Sequence, residues 1–95
     1  MPVDTSDSNV VTILWYIREG AASYVPAHNR AFFLSLLRQA GNGSRLTEAQ
    51  RKCLVQTWDR VFLRIERSIF DGIAGSVVSL LSNLSSDEAW EYLAK

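Results

Sequence analysis

Residues 46–70, LTEAQRKCLVQTWDRVFLRIERSIF, form the longest helical pattern in the chain and hold a large share of its charge. Thr47 is a suitable N-cap, and Gln50 three residues later completes a capping box. Apolar residues then fall at Leu54, Trp58, Val61, Ile65 and Ile69, with Val55 and Phe62 beside them. That spacing is the signature of a helix with one buried face. No Pro or Gly interrupts it before Gly72, so one continuous helix to Phe70 is expected. Each large side chain buried on this face contributes about 1.5–3 kcal/mol, enough for the face to anchor a core.

The opposite side carries three narrower stripes. Glu48, Asp59 and Glu66 share an acidic edge, and Arg60, Arg64 and Arg67 a basic one. Leu63 and Phe70 lie between them, one heptad apart. Two large apolar residues amid a polar face form a second seam, covered either by this chain or by a partner. Arg67 has Asp71 at i, i+4, whereas Arg60 and Arg64 repel each other at that spacing and have no carboxylate there. Unpaired arginines beside apolar residues are typical of protein interfaces.

Working outward, the chain has 95 residues, which suits one domain. Hydrophobic residues make up 47%, including three Trp, four Phe and three Tyr, ample for a single core. Ten basic and ten acidic residues give a net charge of zero. General nucleic-acid and anionic-membrane binders are usually basic, so that balance counts against both. Cys53 is the only cysteine, which excludes an internal disulfide and a Cys-rich metal site. The polar start MPVDTSDSN lacks the basic and apolar segments of a signal peptide. No stretch has the apolar length of a membrane span. These features together lead to an expectation of a cytoplasmic protein.

Residues 1–5 read as a flexible tail, and Ser6, Asp7 and Ser8 as candidate caps for VVTILWYIREGAASY at 10–24. Val10, Ile13, Leu14, Ile17 and Ala21 share one helical face. The run is also rich in strand-forming residues. Helix is preferred because no second strand pattern could satisfy its backbone groups. Val25–Pro26 ends this segment and opens a second helix at 27–40, with Phe33, Leu36, Leu37 and Ala40 inward. Gly41-Asn42-Gly43-Ser44 is a stop and turn. The second and third helices should therefore form an antiparallel hairpin.

Beyond Asp71–Gly72, which can kink or end the helix, residues 73–84 are apolar nearly all round except for serines, the pattern of a helix buried on several sides. Gly72, Gly75, Ser76 and Ser79 would let another backbone approach. Ser85 and Glu88 form a second capping box for a short last helix.

Sets of residues for catalysis are missing from the pattern. His28 is the only histidine, and the hairpin places it towards the opposite end from Cys53, so no Cys–His pair is expected. Cys53 reads as a half-buried small apolar residue. No metal-ligand cluster or phosphate-binding Gly loop is legible, and no cofactor is expected. Glu88 and Glu91 read as exposed acids.

LTEAQRKCLVQTWDRV resembles the opening helix of globins, but no histidine follows residue 28 to serve as the proximal ligand, and that reading is rejected. FFLSLLRQAGNGSRLTEAQ resembles a helical hairpin of small bacterial and phage proteins. In size and class the chain is similar to bacterial antiactivators, small helical dimers that sequester transcription factors.

The expectation is an all-α protein, a bundle of four to five helices built on the antiparallel hairpin. It is expected to be a non-enzymatic regulator that binds another protein, possible partners including a transcription factor, through Arg60, Leu63, Arg64, Arg67 and Phe70. A homodimer seam along Leu63, Phe70, Val77 and Leu81 is expected if the helix continues through Gly72. The alternative is a DNA-binding regulator that sets the arginine stripe on phosphates.

Overall fold

The helix that opens the chain stands at its centre. The computed structural model describes residues 3–93, and within them the chain forms five α-helices and no strand. They are α1 (Asp7–Arg18), α2 (Ala27–Gly41), α3 (Glu48–Val61), α4 (Arg67–Leu81) and α5 (Ser86–Leu93). Two short 3-10 turns, Ala21–Tyr24 and Phe62–Arg64, link α1 to α2 and α3 to α4.

The strand-like composition of α1 has a simple cause. Val10, Val11, Ile13, Leu14, Trp15 and Ile17 are all buried, because α1 touches each of the other four helices. A helix surrounded by neighbours is apolar on most sides. Ser6 caps it by accepting the Asn9 N–H. Ser6 in turn donates to the Asp4 carboxylate, which holds that group below its ordinary pKa.

The α2–α3 hairpin is antiparallel. Gln39 and Gln50 exchange side-chain amide hydrogen bonds of 3.0 Å at its turn. Phe33 meets Trp58 edge-on midway, and His28 and Asn29 lie beside Arg60 and Val61 at the far end. Gly43 supplies the turn with φ +85°, a conformation other residues avoid. Both capping boxes form: Thr47 with Gln50 and Ser85 with Glu88.

Three sequence expectations are corrected. The helix begun at Thr47 does not run to Phe70: α3 ends at Val61, Ile65 is extended and buried, and α4 starts afresh after Glu66. No local breaker causes this. A continuous helix over 47–81 would be about 50 Å long, whereas the described fold spans 30 × 29 × 27 Å. Folding α4 back onto α1 buries Ile65, Ile73 and Val77 together, and that burial overrides the local pattern. β-Branched Val61 and Ile65 and the Arg60/Arg64 repulsion make this segment easy to break.

The second correction concerns α4. It is not buried on several sides. Only Ile73 and Val77 are buried in it, while Val78 is 63% exposed and Leu80 is also exposed. Gly72 does not interrupt it. Among the described residues, no atom comes within 4 Å of a Cβ built on Gly72 or Gly75, apart from their chain neighbours and the helix's own backbone, so no other element is packed against these glycines.

The third is the tail. Residues 1 and 2 lie outside the described residues. Residues 3–5 are tied down: Val3 packs on the core, Thr5 donates to Glu48, and Arg51 donates to the Thr5 carbonyl. Arg51 also pairs with Asp7.

α5 closes the bundle. The buried Trp15 Nε1 donates to the Ala89 carbonyl at 3.2 Å. Arg45 reaches both Asp7 and Asp87 at 3.2 Å while lying 4.8 Å over the Trp90 ring.

Candidate functional site

The corner between α3 and α4 gathers most of the expected partner-binding residues, but by a turn rather than by a shared helical stripe. After Val61 the chain tightens through Phe62–Arg64, and Ile65 drops into the core. Leu63 is left at the apex, 77% exposed, the most exposed large apolar residue described. Leu63, Arg64, Arg67 and Phe70 then line one open groove of about 660 Å³, together with Phe62, Ile65, Glu66 and Asp71.

Its floor is fixed by aromatic packing. Phe62 and Phe70 lie 6.0 Å apart, Phe70 stacks on Tyr16 at 5.4 Å, and both phenylalanines touch Trp58. Ring pairs of this kind add about 0.5–1.5 kcal/mol beyond area burial, so this floor stands preformed. Phe70 is thus partly core, not the centre of a bare stripe.

The three arginines have different surroundings. Arg67 pairs with Asp71 at 3.8 Å, the i, i+4 contact legible in the sequence. Arg60 makes one long contact, 3.5 Å, to the Thr57 hydroxyl. Among the described residues, neither Arg60 nor Arg64 has a carboxylate within 4 Å. These two share a shallow pocket of about 340 Å³ with His28, Asn29 and Val61. Arg64 lines both this pocket and the groove.

The expected seam of Leu63, Phe70, Val77 and Leu81 does not form a line. Val77 is 1% exposed and belongs to the core, Leu81 packs against that core, and Leu63 sits beyond the break. The open face of α4 instead presents Gly75 and Val78, with Leu80 exposed near its end. Sequence reasoning missed Val78 and Leu80. One signal was available: residues 72–86 contain no charge, and Val78 lies about 140° around the helix from Ile73.

Cys53 is exposed, not half-buried. It faces a shallow pocket with Gln56, Thr57, Asp59 and Arg60, whereas His28 lines the pocket beyond Arg60. Among the described residues no three His, Cys, Asp or Glu side chains are grouped to hold a metal. No single described helix is long and apolar enough to cross a membrane.

Comparison of the chain with protein-family models, curated proteins and solved structures gives no match.

Proposed function

We propose that the protein is a small cytoplasmic regulator that acts by binding another protein at the α3–α4 corner, without catalysis of its own. The observation that carries this reading is Leu63. A leucine held 77% exposed by a tight turn, at the edge of a groove floored by packed aromatic rings, buries little of its surface in its own chain. It is well placed to enter a partner. The two carboxylate-free arginines beside it add the interface chemistry that guanidinium forks provide. Sequestration of a transcription factor, in the manner of antiactivators, is the form of regulation that the size and class suggest.

A homodimer belongs to the same reading, with the open α4 face in place of the dispersed seam. That face is uncharged through residues 72–86 and carries exposed Val78.

Affinity capture from the native host, run in parallel with wild type and Leu63→Asp, tests the reading. A protein retained by the first and lost by the second is expected. Identical captures would end the proposal for this corner. The DNA-binding alternative draws on the same Arg60 and Arg64. It predicts duplex binding that weakens steeply as salt rises, which an apolar protein contact does not.

A further inference from the structure

The groove and the basic pocket are one surface, because Arg64 lines both. We propose that this surface takes an acidic peptide segment of the partner. One large apolar side chain would fill the groove beside Leu63 and Phe70, and a neighbouring carboxylate would lie between Arg60 and Arg64. The inference rests on the protein-binding reading above and specifies the chemistry of the partner.

Charge complementarity points to this occupant. The groove itself is balanced, with Glu66 and Asp71 against Arg64 and Arg67, so the unmatched positive charge lies in the adjoining pocket. No acid lines the pocket of Arg60 and Arg64. The first turn of α2 contributes His28 and Asn29 there, contains no acid, and follows Pro26, which has no side-chain acceptor. Its N–H groups add positive potential to the pocket. Two like charges held one turn apart are unfavourable alone and become favourable around a carboxylate, which a guanidinium can grip with two hydrogen bonds. The chain as a whole has zero net charge, so this is a local demand for one anionic group and not a track for a polyanion. A nucleic-acid backbone would also leave the apolar groove empty. A peptide satisfies both halves.

Selection from a random-peptide phage library on the purified protein tests this without knowledge of the partner. Peptides that pair a Leu, Phe or Trp with a nearby Asp or Glu are expected to be enriched. Their synthetic forms should bind Arg60→Glu or Arg64→Glu about ten- to a hundredfold more weakly. Arg38→Glu, the same charge change at an exposed site elsewhere on α2, should bind them as wild type does. Circular dichroism verifies that each variant is folded. Enriched peptides that need Leu63 but are neutral or basic, or that ignore both Arg variants, would overturn the acidic assignment and leave the protein-binding reading standing. Absence of any peptide whose binding needs Leu63 would remove both. Salt-sensitive binding of a DNA duplex that displaces the peptides would overturn the inference in favour of phosphate recognition.

Discussion

Trp15 and Trp90 are both buried, yet their indole N–H groups are unequal. Trp15 Nε1 has the Ala89 carbonyl, while Trp90 Nε1 is buried with no partner among the described residues. Removing the first deletes a buried hydrogen bond between α1 and α5, at a net cost of about 0.5–1.5 kcal/mol. Removing the second deletes a polar group that was already unmet. Trp15→Phe should therefore lower stability in urea clearly more than Trp90→Phe. Equal losses would contradict this difference. Leu63 and Phe70 give a second contrast. Leu63→Asp changes an exposed side chain and should keep stability within about 0.5 kcal/mol of wild type. Phe70→Asp puts a charge against Tyr16, Trp58 and Phe62 and should destabilise the chain by several kcal/mol. Thermal melts of the two variants separate them. Their identical spacing from the basic edge in the sequence hid this distinction, because exposure is decided by the turn between them.

Among the elements, the break at 65–66 has the sharpest test. Glu66 has φ −55° and ψ 136°, and Ile65 before it is extended. Both conformations suit proline and the residue preceding it. Glu66→Pro should thus leave helicity unchanged and stability within about 1 kcal/mol. In an unbroken helix the same change would cost about 3 kcal/mol or more, and a large loss in circular dichroism would restore the continuous helix. Much of the element plan was legible beforehand. The capping boxes at Thr47/Gln50 and Ser85/Glu88, the Gly41–Ser44 turn and the Pro26 boundary are local chemistry, and local sequence specifies them. The break was not legible, because residues 61–66 contain neither Gly nor Pro. It arises from α1 attracting Ile65, Ile73 and Val77, a long-range effect that periodicity cannot register. The candidate site inherits that limit: its residue types could be read, but their gathering into a corner depends on a turn that the pattern concealed. The rank of the elements was inverted for the same reason. Residues 46–70 have the clearest amphipathic pattern because α3 lies at the surface, whereas α1 has a blurred one because it is surrounded.

For the whole molecule, the outer face of α4 beyond Asp71, uncharged from residue 72 on, is the feature that the monomer fold leaves unexplained. If a second copy covers it, wild type sediments as a dimer at micromolar concentration, and Val78→Lys, at a position 63% exposed, gives a monomer with unchanged helicity. A wild-type monomer would return this face to the solvent. The central place of α1 has a different consequence, one that concerns synthesis. Trp15 is joined to Ala89, 74 residues later in the chain. At about 5–20 residues per second, roughly 4–15 s separate the appearance of these two residues. During that interval the helix with six buried apolar residues is complete and lacks its last neighbour. Nascent chains stalled before α5 clears the ribosome should be cut readily by protease and held by chaperones, while those that extend past it should resist. Of the five helices, α1 precedes the other four and so waits longest for shelter.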